Sequence, residues 1–361
     1  MAGKHFKNSL ILAAILSAAT LAAALATTEA QAQRPAPPAG TVSPASVLDN
    51  FPHVTLSRGD LSARVYLPVP FGFYRGTRFD HAGIVTHATY KGQVYADYWF
   101  KGISANVHDF TYEPDGTIIA HTCCSVTGPA EEFDDIGYAE AGKGGDFLKI
   151  GVGMLRRNDD TYDHALNYTV TNPGKRSTSR TKDSIRFRHV LNDRSGYGYD
   201  YVKTVTLVSG SQMTISHTLK NTGRKPLTTA VYAHNFLTLT PGNEGIELKA
   251  PFALKNERPL NPALAKVDGN TLRYVGTMTG QQSVTSPFTG YGTSASDFDF
   301  TVTATKSGFG QRIRADQPIA RIAMWSVSSN FSWEPYVGIA LQPGESKSWT
   351  LTYDFFGPGE K

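Results

Sequence analysis

Charge is scarce in this sequence. Only 18% of its 361 residues are charged, and Lys+Arg 35 against Asp+Glu 31 leave a formal net charge of +4. That balance excludes a surface built to hold nucleic acid, and it excludes a coiled coil, whose heptads need charged flanks. Cysteine is nearly absent, with Cys123 and Cys124 adjacent in sequence. A disulfide-stapled scaffold is therefore excluded, and a core must hold the fold. Neighbouring cysteines bridge only through a tight ring, so two half-buried thiols are the favoured reading, with a vicinal or intermolecular bridge as the alternative. His121 alone does not complete a metal site with them. No stretch sustains a capped helical periodicity over three turns. Beyond the N-terminus no run of 18 apolar residues exists, so the mature chain has no membrane span. The G-x-S-x-G elbow, the phosphate loop and H-E-x-x-H are all missing, and neither metal nor cofactor is expected.

Turn residues and aromatics, by contrast, are plentiful: Gly 34, Pro 20, Tyr 17 and Phe 19. Lys4 and Lys7 precede an apolar stretch from Ser9 to Ala26, and Ala30-Gln31-Ala32 supplies a small-x-small cleavage pattern. Residues 1–32 thus read as a signal peptide cut after Ala32, which implies a periplasmic or secreted protein. Residues 33–50 read as a flexible Pro/Ala-rich lead-in, and 51–361 as one domain. In that domain short alternating runs dominate. Trp349, Leu351, Tyr353 and Phe355 fall on one strand face, and Thr350, Thr352 and Asp354 on the other. Tyr199–Val208 and Met213–Leu219 read as a hairpin closed by Ser209-Gly210-Ser211. The Asn221–Pro226 turn then leads into Leu227–Leu239, which predicts a meander of adjacent strands. Glu131 to Gly145 reads as a long acid- and glycine-rich loop. The fold class expected is all-β, a large antiparallel two-sheet sandwich with little helix.

Two segments place ionisable groups inside apolar strands. His234 lies in Ala233-His234-Asn235-Phe236-Leu237-Thr238-Leu239, and Glu334 between Trp333 and Pro335. A buried carboxylate must be paired, hydrogen-bonded or functional. Arg78 and Asp80 flank a glycine turn and would share a strand face, and Glu131-Glu132 form a carboxylate pair. Trp99, Trp333 and Tyr336 offer faces on which a sugar ring can stack.

The His234 segment resembles the N-H-x-Y-F-N-L strand of the aldose 1-epimerases (galactose mutarotases). Trp333-Glu334-Pro335, Leu341-Gln342-Pro343-Gly344-Glu345 and the closing Trp349–Phe355 strand resemble that family's C-terminal pattern. Asn221-Thr222-Gly223, and Phe79–Val85 followed by Tyr90-Lys91-Gly92, are similar to further family segments. The resemblance implies a galactose mutarotase-like sandwich that opens and recloses a pyranose ring without a cofactor. It implies Glu334 as base and His234 as acid, set several ångströms apart; Arg78, Asp80, Glu132, Lys149, Trp333 and Tyr336 are the candidates, read from the residues themselves, for contact with the sugar. The partner is a sugar or oligosaccharide, and the expected state is a monomer. Ala233 departs from the family's Asn, and the family's H-G-G motif is not found; Gly144–Gly151, with Lys149, occupies its approximate place. A sugar-binding envelope protein, or a polysaccharide lyase or hydrolase, are the alternatives on the same fold.

Overall fold

A computed structural model describes residues 41–360; the signal pattern at 1–32 and residues 33–40 lie outside them. Two large antiparallel sheets carry the architecture. One has ten strands and opens with Lys175–Arg180, Ser184–Asn192, Gly198–Leu207 and Gln212–Asn221; the closing strand Ser346–Phe356 follows at its centre. The other has six, in the order Lys255–Asn256, Ser283–Thr289, Ile319–Val327, Asn330–Leu341, Leu227–His234 and Ala130–Phe133. A four-stranded sheet (His53–Arg58, Leu61–Tyr66, Val85–Tyr90, Gln93–Ala96) and two three-stranded ones complete the described chain. Helix among the described residues amounts to Pro44–Leu48, Tyr138–Ala141 and two single 3₁₀ turns. The expected all-β sandwich is what the chain forms.

Alternation is the local cause. In Ser346–Phe356 the buried residues are Trp349, Leu351, Tyr353 and Phe355, as their spacing requires. The core lies between the two large sheets. There Trp333 packs 4.9 Å from Phe288 and 5.3 Å from Phe300, and the Trp349 ring stacks on His217 at 4.5 Å.

Three local expectations are corrected. The hairpin forms, but Gln212–Asn221 pairs next with Ser346–Phe356, not with Leu227–His234, which sits in the other sheet. The 221–226 turn is therefore a crossover between layers, because both neighbours of Gln212–Asn221 are already taken. The 131–145 segment is not one long loop: Ala130–Phe133 is a fully buried edge strand and Tyr138–Ala141 a short helix. The lead-in also ends earlier than residue 50. Val42 exchanges backbone hydrogen bonds with Ile103, and Leu48 enters an aromatic core cluster.

Asp80 is not a surface ligand. It is 2% exposed and sits between the sheets in a buried ionic cluster. Lys203 Nζ lies 2.6 Å from both Asp80 Oδ2 and Glu131 Oε2 and donates to the Ala82 carbonyl, while His217 Nε2 lies 2.8 Å from Glu131 Oε1. Burial opposes ionisation of Glu131, but His217 and Lys203 prevail and hold its carboxyl down at about 2. Gly151 makes room for this arrangement; its φ is +81°, and a Cβ there would stand 2.5 Å from Asp80 Cγ. The 75–82 segment is irregular, so Arg78 and Asp80 do not share a strand face.

Trp333 is likewise a core residue, 0% exposed, and not a stacking platform. Trp99 joins a second aromatic cluster, its ring stacked on Phe236 and its indole N–H donating to the Val126 carbonyl. Replacing Trp333 by Ala should cost about 3–5 kcal/mol of unfolding free energy. Urea titration measures that loss.

Candidate functional site

Three neighbouring strands of the six-stranded sheet build the site on the face turned away from the core. Ala130–Phe133 pairs with Leu227–His234, which pairs with Asn330–Leu341. Registry sets Glu132 against Tyr232, Tyr232 against Tyr336, and Tyr336 against Arg321. That is one lateral row of polar side chains. Two residues along, the next row holds Ala130, His234, Glu334 and Ala323, with His234 and Ala130 partnered and Glu334 and Ala323 partnered. The alternate positions, Glu131, Phe133, Val231, Ala233, Trp333 and Val337, face the core.

His234 and Glu334 meet directly. His234 Nε2 lies 3.2 Å from Glu334 Oε1, and the two residues are 4% and 5% exposed. The separation of several ångströms implied for a sugar between them is thus not present. The imidazole stacks on Phe236 at 3.5 Å and meets the edges of Phe79 and Trp325. His234 Nδ1 is buried without a hydrogen-bond partner. Burial, and then the Arg78 charge, push the imidazole well below its ordinary range. Burial pushes the Glu334 carboxyl up to about 8, Glu132 adding to the effect and Ser332 and Arg78 opposing it. The pair therefore rests as neutral imidazole and neutral acid near pH 7, the reverse of the charges implied by the resemblance. The physical reason is the apolar cage, which penalises either ion.

Beside the pair lies a tight polar network. Arg78 Nε donates to Glu132 Oε2 at 2.7 Å, and Arg78 Nη2 to the Tyr232 hydroxyl at 3.0 Å. Tyr232 donates to the same Glu132 oxygen at 2.7 Å. Lys149 Nζ donates to Glu132 Oε1 at 3.0 Å and to the Phe133 carbonyl at 2.6 Å. Burial raises the Glu132 carboxyl, yet Arg78 and Lys149 outweigh it and keep it well below the usual carboxylate range. Lys149 is 0% exposed and committed to these acceptors, so it positions Glu132 and does not reach a ligand. Tyr336 lies on the site face, its ring centroid 4.4 Å from that of Tyr232 and 3.7 Å from the Arg321 guanidinium carbon.

A small cavity opens next to Arg78, lined also by Tyr74, Asp109, Cys124, His164 and Asn167. Sequence reasoning missed Tyr232, Asp109 and His164. Tyr232 was legible two residues before His234 on the same strand face; the two loop residues carried no signal. Cys123 and Cys124 are joined by a disulfide, not the free thiols favoured from sequence. Among the described residues, His121 with these two cysteines is the one group close enough to share a metal, and the disulfide occupies its sulfurs.

No protein-family model matches the sequence, and no curated protein matches it. Solved structures do. A candidate aldose 1-epimerase from Escherichia coli K12 superposes with a TM-score of 0.51 at 14% identity, over 85% of this chain and 100% of that one. The Slr1438 protein from Synechocystis sp. PCC 6803 gives 0.50 at 12%, over 85% and 97%. A galactose mutarotase-like protein from Lactobacillus casei gives 0.48 at 11%, over 84% and 100%. The fold is that of the galactose mutarotase-like proteins.

The neutral pair makes stability depend on pH in a defined direction. Glu334 is raised from 4.5 to about 8, so its contribution is present below pH 4.5 and lost as pH climbs through 8. His234 is lowered from 6.5, so its contribution is present above that value and lost in acid. Glu334→Gln cannot ionise. Its stability relative to the parent should rise by about 3–5 kcal/mol between pH 5 and pH 9. Urea unfolding of both proteins at the two pH values measures this, and a flat difference would mean the carboxyl is not buried as the neutral acid.

Proposed function

We propose that this protein interconverts the anomers of a free sugar, or of an oligosaccharide reducing end, by opening and reclosing the pyranose ring. One observation carries the reading: a buried His–Glu pair in mutual contact, its members shifted in opposite directions, beside the Arg78–Glu132–Tyr232 network. Glu334, as the neutral acid, gives its proton to the ring oxygen while neutral His234 takes the C1 hydroxyl proton. The bond from C1 to the ring oxygen breaks and the open-chain aldehyde forms. The pair is left as imidazolium and carboxylate, and it is restored on reclosure, when the imidazolium returns its proton to the C1 oxygen and the carboxylate takes the proton of the ring-forming hydroxyl. Rotation about C1–C2 and the reverse steps close the other anomer. These roles exchange the acid and base implied by the resemblance, but both assignments hold one proton on the pair and share macroscopic pKa values. Each positioned group supplies about 10²–10⁴-fold. Arg78, Glu132, Tyr232 and Tyr336 bind sugar hydroxyls, and the ring enters by parting the pair.

The closeness of that pair favours a second reading, in which the cleft binds carbohydrate without catalysis. A lyase or hydrolase that grips uronates through Lys149 loses its cation to Glu132. Polarimetry of freshly dissolved α-D-glucose and α-D-galactose decides between the first two. Enzyme should accelerate mutarotation, with kcat/KM falling above about pH 8 as Glu334 ionises. Glu334→Gln should lower the rate about 10²-fold or more while the fold survives. Saturable binding with no acceleration would leave the binder. Export belongs to the same proposal, and N-terminal sequencing of the exported chain should begin at Gln33.

A further inference from the structure

Cys124, joined to Cys123 by a disulfide, stands in the wall of the small cavity beside Arg78, and nothing in the acid–base chemistry uses it. Cys124 lines the same cavity as Arg78 and His164, and it packs against the aromatic cluster that holds Trp99, Phe236 and Trp325. Phe236 is the ring stacked on His234. The disulfide segment is also tied to the irregular stretch that carries Arg78: the Arg75 amide donates to the Cys123 carbonyl at 2.8 Å, and its guanidinium to the Thr122 carbonyl at 3.4 Å. On the other side the Cys123 amide donates to His121 Nδ1 at 2.9 Å. Both cysteines are half-buried, so a small reductant reaches them.

We propose that this disulfide is a redox-responsive wall of the sugar cleft, closed and shaped for sugar in the oxidised chain and loosened on reduction. The proposal rests on the carbohydrate reading of the cleft. A thiolate of a dithiol reductant attacks one sulfur, forming a mixed disulfide as the other cysteine leaves with the bonding pair and takes a proton; the reductant's second thiolate then closes its own cyclic disulfide and expels the second cysteine, which is protonated in turn. Two thiols cannot stay at bonding distance. Their sulfurs move apart to van der Waals contact, and the ring that held residues 123 and 124 in one conformation is gone. Cys124 then shifts against the aromatic cluster and against Arg78 together. The acid–base pair is not bonded to this segment, so the change falls on sugar binding more than on proton transfer.

The test uses the full chain, oxidised and after dithiothreitol. N-ethylmaleimide under native conditions should add no adduct to the oxidised protein and two to the reduced one, at Cys123 and Cys124; two adducts without reductant would overturn the proposal. Tryptophan emission needs no sugar and should change on reduction because Trp99 and Trp325 lie in the cluster that Cys124 touches; unchanged emission from fully reduced protein would also overturn it. In polarimetry KM should rise about tenfold with kcat within twofold, and oxidised glutathione should restore it. An unchanged KM at full reduction sinks the wall. Absence of any mutarotation sinks the proposed reaction alone, since labelling and emission still decide the disulfide's part. Cys123→Ser/Cys124→Ser should match the reduced parent and ignore dithiothreitol; should it fail to fold, the reduced parent carries the decision.

Discussion

Period-two alternation in three adjacent strands is the constraint on which the rest of this structure depends. Consecutive residues in a strand point to opposite faces, so each strand of the six-stranded sheet supplies core and site in turn. Glu131 and Glu132 show the consequence. The first enters the space between the sheets and meets Lys203 and His217; the second faces away and meets Arg78, Tyr232 and Lys149. A one-residue slip of Ala130–Phe133 would exchange them and leave both ionic systems broken. The same logic sends Trp333 into the core and Glu334 to the site.

The two faces treat charge differently. Between the sheets, burial is offset by complementary ions: Asp80 and Glu131 share Lys203, and His217 completes Glu131. Losing one member of such a set strands a buried charge, which is why its members hold the layers in one arrangement. Around His234 and Glu334 the surroundings are aromatic, and burial outweighs the pull of Arg78 on Glu334 and of Glu132 on His234. The low-dielectric cage then favours the uncharged forms of both. Charge is admitted next door, at Arg78 and Glu132, where hydrogen bonds fully compensate it. A site of this kind suits a reaction in which protons move in pairs and no free charge persists.

The fold class, the hairpin at 209–211 and the closing strand were legible because their alternation is written in side-chain type. His234 and Glu334 were legible as anomalies, ionisable residues in apolar strands. Asp80, Lys149 and Trp333 were misjudged for one shared reason: each is a side chain whose partner lies far away in sequence. Asp80 is held by Lys203, Lys149 by Glu132 and the Phe133 carbonyl, and Trp333 by Phe288 and Phe300. Composition near those residues carries no trace of such partners. The crossover at 221–226 was missed similarly, because the local turn signal is the same whether the next strand stays in the sheet or leaves it.

The sequence by itself determined that this chain is a β-sandwich and that residues 234 and 334 break an apolar pattern, since both follow from local alternation. Tertiary structure alone decided that these two touch at 3.2 Å and rest uncharged. It alone joined Cys123 to Cys124 beside Arg78, and it alone assigned Glu131 to the core and Glu132 to the site. Distance, burial and protonation are properties of the environment a residue meets after folding. A strand pattern states which way a side chain points, but not what waits for it there.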